Sequence, residues 1–215
     1  MWQYIFGIGN RAEGKSKKDF SGIMKYTFIS GIPASGKSHL ASKIAKEIGI
    51  QHFTIDDWWK EMKDDPKLKK WVDFFWNQDE AEYWSTTNCE QQWDNIKNQS
   101  EALWLTILTK IRETTKYGKG AIFEGVNILP HLAHRDLDFS GIILLGESFE
   151  IILERNKKDP RWGKTEELQR KETEAFWNCE RPRYKSEAEK HGYKAFTDPI
   201  LAEAELIKLL ENQSF

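Results

Sequence analysis

Residues 25–48 constrain the fold of this chain more than any other stretch. Lys25-Tyr-Thr-Phe-Ile-Ser30 has the composition of a short buried strand, and it runs directly into Gly31-Ile-Pro-Ala-Ser-Gly-Lys-Ser38. An amphipathic helical pattern then extends from about Gly36 to Ile48 and stops at Gly49. A strand, a glycine-rich turn and a helix in immediate succession aim backbone N–H groups and the positive end of a helix at one point, which is how proteins hold phosphate. The spacing is G-x-x-x-x-G-K-[ST]. In that pattern Gly31, Ala34, Ser35, Gly36 and His39 belong to the nucleotide-binding turn, Lys37 bridges the β- and γ-phosphates, and the Ser38 hydroxyl ligates Mg²⁺.

The same letters recur at Gly9-Asn-Arg-Ala-Glu-Gly-Lys-Ser16, so context has to decide between them. After Ser16, the polar Lys17-Lys-Asp19 and the next strand leave no room for a helix, and residues 9–16 read as a loop. A Gly7-x-Gly9-x-x-Ala12 dinucleotide fingerprint fails for the same reason. Two guanine-site patterns fall in the wrong places as well. Asp138-Phe-Ser-Gly141 precedes a strand and Asn156-Lys-Lys-Asp159 ends a helical pattern, whereas in GTPases those motifs follow strands.

Further strands are expected at 52–55, 121–124, 142–145 and 193–197, with helices between them and a last helix from Pro199 to about Leu210. Ser148 is placed to cap a helix reaching Lys157, and Pro182 to kink or divide a long helical pattern that ends near Lys190. Residues 56–118 read as a mostly helical insertion, and Pro160, Arg161 and Gly163 mark a polar, helix-breaking lid over 156–165. The division is therefore an N-terminal extension, 1–24, and one domain, 25–215. Alternating strands and helices predict an α/β fold with a mostly parallel sheet covered on both faces and the ligand at the carboxyl ends of its strands.

Acidic and basic residues nearly cancel, with a formal charge of −2, so no global field points to nucleic acid or to an anionic membrane. No run of 18 uninterrupted apolar residues occurs, and no membrane crossing is expected. Cys89 and Cys179 stand far apart with no C-x-x-C, which argues against structural zinc and against a disulfide scaffold and points to a reducing, cytoplasmic setting. His131 and His134 lack a carboxylate at matching spacing, so no metal site is expected there. Seven of the ten tryptophans fall between Trp58 and Trp104, where they serve either as core or as the walls of an acceptor pocket.

With Gly31–Ser38, the following helix, and Ile55-Asp-Asp-Trp58 after the second strand, the chain resembles the P-loop kinases of small metabolites and nucleotides. Shikimate kinases, chloramphenicol phosphotransferases, zeta-toxin kinases and polynucleotide 5′-kinases share this arrangement. Phe123-Glu-Gly-Val-Asn-Ile-Leu-Pro130 is similar to a stretch of 2-phosphoglycerate-kinase-like proteins. The resemblance implies a three-layer α/β/α fold with five strands in 2-3-1-4-5 order and ATP and Mg²⁺ as cofactors. It also implies a small acceptor, with Asp56 receiving the proton of its hydroxyl. Asp57 is then a candidate for holding Mg²⁺ through water, Glu124, ending an apolar strand, for the same task or for an acceptor contact, and the roles of Asp56 and Asp57 are interchangeable at this point. Arg155 and Arg161 resemble the pair that brackets the lid of shikimate-type kinases, the first packing on adenine and the second reaching the phosphates.

The expected reaction is phosphoryl transfer from ATP to the hydroxyl of a small metabolite. A nucleoside, nucleotide or polynucleotide 5′-kinase is the alternative within the class, and a nucleotide-binding switch or NTPase the alternative outside it. The competing phosphate-loop matches separate by mutation. Lys37→Ala is expected to abolish ATP binding in a calorimetric titration and Lys15→Ala to leave it nearly unchanged. Equal losses in two well-folded variants would contradict the choice of Gly31–Ser38.

Overall fold

The computed structural model describes residues 25–212. The second phosphate-loop match, residues 9–16, and the dinucleotide-like glycines lie outside the described residues. Strands β1 (Tyr26–Gly31), β2 (Gln51–Thr54), β3 (Ala121–Glu124), β4 (Gly141–Leu144) and β5 (Lys194–Phe196) form one sheet in the order β2-β3-β1-β4-β5. Every neighbouring pair is parallel, as expected. β1 is central, and all six of its residues are buried because helices cover both faces.

The period of two along each strand sorts side chains into two cores. Phe28, Phe123 and Ile143 point into the larger one, with Leu103, Trp104 and Ile107 of helix α5 (Cys89–Tyr117) and Tyr184 of α9 (Arg181–Lys190). Ile29, Ile122, Ile142 and Leu144 point the other way, onto Leu40 and Ile44 of α1 (Lys37–Ile48) and Ala202, Leu206 and Leu210 of α10 (Pro199–Glu211). This is a three-layer α/β/α arrangement. Strand ends differ from the sequence reading by one residue. The ladder carries β1 on to Gly31, opposite Leu144, and closes β2 at Thr54, opposite Glu124.

Between β2 and β3 the insertion opens with a 3₁₀ turn, Ile55–Trp58, and continues as α2 (Trp59–Lys63), α3 (Pro66–Val72), α4 (Glu80–Thr86) and α5. Each later start has a chemical cause. Asp65 and Asp79 accept from backbone N–H groups at the heads of α3 and α4, and Asn88 with Gln91 forms a capping box at the head of α5. A short helix, α6 (Pro130–Asp136), with Pro130 in its first turn, follows β3. Ser148 caps α7 (Phe149–Lys158) as read, so residues 156–158 are the end of a helix and the irregular stretch is 159–165. Buried Asn156 donates to Glu172 Oε2 at 2.8 Å and to the Gln169 carbonyl at 3.1 Å, a helix-packing role.

The long helical pattern does divide at Pro182. Helix α8 (Glu166–Ala175) passes through a π-helical turn, Phe176–Glu180, into α9, and Pro182 is the second residue of α9. A proline ring has no N–H to give and crowds the carbonyl four residues back, which a wider turn accommodates. That turn brings Cys179 beside Cys89, the first residue of α5. The two are joined in a disulfide, with Cα atoms 4.7 Å apart and a separation of 90 positions in sequence. The expectation of unpaired cysteines is therefore wrong, because separation along the chain says nothing about distance once α5 packs on the π turn. The inference of a reducing, cytoplasmic setting loses this premise. No helix among the described residues is long and apolar enough to cross a membrane.

A cross-link that closes so long a loop restricts the unfolded chain, an effect of about 2–4 kcal/mol. The Cys89→Ser/Cys179→Ser variant is expected to lose about that much stability in urea. Reductant should shift wild type by the same amount and leave the variant where it is; an identical midpoint for oxidised, reduced and variant protein would show that the bond contributes nothing.

Candidate active site

The phosphate-loop geometry begins with a close approach. Gly31 ends β1 with φ 128°, and a Cβ there would lie 2.0 Å from the Leu144 carbonyl oxygen of β4, so only glycine fits. The chain then turns through two further positive-φ residues, Ala34 at 55° and Gly36 at 96°. Gly36 is the N-cap of α1 and brings no side chain to cap it, which leaves first-turn N–H groups free for an anion. Ser35 is buried with no partner for its Oγ. Ser38 and His39 stand exposed on the first turn of the helix.

Lys37 is folded under the loop, its Nζ donating to the Ile32 carbonyl at 2.7 Å. Burial brings its pKa down to about 8, against the pull of the Glu124, Asp56 and Glu180 carboxylates, while Arg161 pushes in the same direction as burial. Glu124 ends β3 beside the last residue of β2, and Thr54 Oγ1 donates to its Oε1 at 2.8 Å. Burial pushes the Glu124 pKa up, but neighbouring His52, Lys37, Thr54 and Ser38 outweigh it and hold the pKa at about 2. His52 Nε2 lies 3.8 Å from the carboxylate. An ionised carboxylate thus sits beside the first turn of α1 and balances the buried ammonium.

The 3₁₀ turn separates the two aspartates. Asp56 turns inward, with Oδ2 3.5 Å from Arg161 Nη1 and Oδ1 out of solvent without a partner. Its pKa is raised, first by burial and then by Glu124, with Arg161 and Lys37 opposing. Asp57 is exposed. Arg155, from α7, spans the other side of the loop. Its Nη2 pairs with Glu147 at 2.6 Å, its Nη1 donates to the Ser35 carbonyl at 3.3 Å, and the group borders a cleft that continues past Leu40 to Pro199 and Ile200. Arg161 and Arg155 share a second cleft with Lys37, Ser38 and His39. Arg181, unassigned from sequence, lies over the Trp177 ring at 4.2 Å and donates to the Leu145 carbonyl. His131 sits between Glu101 and Glu187.

Sequence reasoning missed the residues beyond Arg161. A cavity of about 100 Å³ there is walled by Trp59, Phe75, Trp76, Trp84 and Trp162, with Gln92, Gln99, Glu172 and Glu180 among the polar groups. The density of tryptophan was a signal. Trp93 and Trp104 went to the core, whereas Trp59, Trp76 and Trp84 went to this wall, so the cluster divides between core and cavity. Nothing marked Glu180, one charge among many on a helix.

No family model and no curated protein matches the sequence. The structure is similar to the shikimate kinase from Acinetobacter baumannii in complex with shikimate, at 13% identity and a TM-score of 0.50, over 89% of this chain and 96% of that one. A deoxyadenosine kinase from M. mycoides with bound dATP is 16% identical over 88% of this chain and 98% of that one; its TM-score of 0.44 is too low to argue from. The fold is that of the P-loop kinases.

The Lys37 pKa gives the site a pH signature. The amine carries its charge below about pH 8 and loses it above. Calorimetric ATP affinity is expected to hold up to about pH 8 and then fall by up to about tenfold per pH unit, the limit for one required proton. A flat profile between pH 7 and 9.5 would separate Lys37 from nucleotide binding.

Proposed function

We propose that this chain is a kinase that uses ATP and Mg²⁺ to phosphorylate a hydroxyl group of a small molecule. The observation that carries this reading is the position of Asp56. One of its oxygens is paired with Arg161, which lines both the aromatic cavity and the cleft at Lys37 and Ser38, and the other is buried and unpaired. A hydroxyl entering from the cavity would donate to Oδ1. Trp59, one turn on and also lining the cavity, has a buried Nε1 with no acceptor and would donate to the same oxygen atom. Two orphaned polar atoms of opposite kind match the two hydrogen-bonding faces of an alcohol.

The residues present fit the cofactors. Gly31 and Gly36 keep the turn clear of side-chain bulk, the buried Ser35 Oγ lacks a partner, and the Lys37 amine is held by a single neutral carbonyl, which a phosphate could replace as its acceptor. Ser38 and the ionised Glu124 form the oxygen pair that would hold Mg²⁺, Glu124 through water, and the exposed Asp57 is the weaker candidate for that task. The cleft between Arg155 and Ile200 suits the base of the nucleotide.

When bound, Mg²⁺ draws electron density from the phosphate oxygens. Lys37 offsets charge on the transferring group from the loop side. Arg161, on the irregular stretch 159–165, would leave Asp56 for the phosphate, freeing both carboxylate oxygens; Oδ1 would then take the acceptor's proton as the acceptor oxygen bonds to the γ-phosphorus and the bond from that phosphorus to the bridging oxygen breaks, releasing ADP. The raised pKa of Asp56 makes it a better base than an exposed carboxylate. A switch that hydrolyses nucleotide has no use for a second, aromatic cavity, and a polynucleotide would need a cationic groove where this cavity is lined by Glu172 and Glu180.

Acceptor-stimulated release of ADP, against a panel of metabolites bearing hydroxyl groups, tests the reading; turnover that no acceptor changes would favour the switch. With an acceptor in hand, Asp56→Asn is expected to keep ATP affinity and slow single-turnover transfer by about 10²–10⁴. Asp57→Asn should transfer nearly normally. A normal rate for Asp56→Asn would remove it from the reaction.

A further inference from the structure

Two buried carboxylates line the aromatic cavity and take no part in the reaction proposed above. Glu180, on the π turn, is 2% exposed, and its one side-chain hydrogen bond among the described residues is from Gln92 Nε2, at 2.8 Å. Gln92 is itself held in place, because its Oε1 accepts from the Tyr83 hydroxyl. Glu172 lies about two helical turns earlier and accepts from Asn156. Among the described residues neither has a cation within ion-pair distance, and Arg161 is the one cationic side chain in the cavity wall; it is paired with Asp56, and in the proposed reaction it turns to phosphate.

The wall therefore combines indole and phenyl rings with acidic groups and offers no cation to a ligand. A carboxylate or a phosphate on the acceptor would meet Glu172 and Glu180 inside a low-dielectric space, where like charges repel strongly. An ammonium group would meet the opposite. Aromatic faces attract cations, the more so when both are desolvated, and a buried carboxylate supplies the counter-charge. From this geometry we infer that the acceptor is an amino alcohol, an organic cation whose ammonium is held by Glu180 and the tryptophan wall while its hydroxyl reaches Asp56. The inference rests on the kinase reading for the role of the hydroxyl, though the ammonium site stands on the cavity alone.

The electrostatics agree. Burial pushes the Glu180 pKa up to about 7 and Glu172 adds to the rise, while Gln92, Lys37 and Arg161 act against it without cancelling it. A group so placed lacks a close cation, which a bound ammonium would provide.

Three probes of matched shape test the assignment: 2-amino-1-phenylethanol, neutral 1-phenyl-1,2-ethanediol and anionic mandelate. In titrations of the full chain followed by tryptophan fluorescence, the amine is expected to bind at least about tenfold more tightly than the diol, the size of one desolvated cation–aromatic contact, and mandelate most weakly. Glu180→Gln should bring the amine-to-diol ratio close to one. Mandelate or diol binding as tightly as the amine, or a ratio that Glu180→Gln leaves intact, would overturn the inference. The wild-type ranking decides even if the variant fails to fold. ADP release with the same probes separates the two readings. Amine binding that depends on Glu180 but stimulates no release would keep the ammonium site and sink the kinase, whereas release driven best by mandelate would keep the kinase and sink the ammonium site.

Discussion

The carboxyl end of this sheet holds two buried opposite charges, Lys37 and Glu124, each of which acts on the other through the low-dielectric interior. An ammonium taken out of water beneath a glycine-rich turn is costly, and Glu124, ionised and nearly inaccessible, offsets that cost from the neighbouring strand. The pairing exists because β3 lies between β1 and β2, so that the residue ending β3 falls beside the first turn of the helix that follows β1. In an antiparallel order 1-2-3 the strand β2 would stand between β1 and β3, and the two charges would be held a further strand spacing apart. Topology, more than any single contact, makes the charge balance.

A second layer of organisation comes from the helical insertion. α5 packs against the π turn between α8 and α9, and the disulfide from Cys89 to Cys179 ties the two at the rim of the aromatic cavity. Three residues on, Gln92 reaches Glu180, the neighbour of Cys179 in the chain. The cavity wall is thereby assembled from segments far apart in sequence: α2 to α5, the residues around Arg161, and the π turn. None of them could enclose a ligand alone. Arg161 joins this wall to the phosphate side through Asp56, which is how a displacement of the 159–165 stretch would be felt in both halves of the site.

The tryptophans show how one composition serves two purposes. Trp104 is buried and donates its Nε1 to Asp136 at 2.6 Å, so its polar edge is satisfied inside the core. Trp59 lies against the same core with its Nε1 unsatisfied. An indole that keeps a buried donor free is poor core design and good preparation for a ligand oxygen, and only the surrounding atoms distinguish the two cases.

What could be read in the residues alone is what depends on neighbours in the chain. Gly31–Ser38 specifies its own turn because strand, glycines and helix are contiguous, and the alternation of apolar strands with amphipathic helices specified the α/β layers. Glu124 could be named as a candidate because it ends an apolar strand, whereas Asp56, Arg155 and Arg161 were candidates through the resemblance to the P-loop kinases, matched next to a strand end and a helix break. Which aspartate turns inward was not legible, since adjacent positions of a short 3₁₀ turn differ only in the direction the turn faces. Nor was the disulfide, whose partners are 90 residues apart. The aromatic cavity was the least visible of all. Glu172 and Glu180 read as ordinary helix charges until the packing of α5 on the π turn removed their water, and desolvation is a property of the assembled tertiary structure that no local pattern encodes.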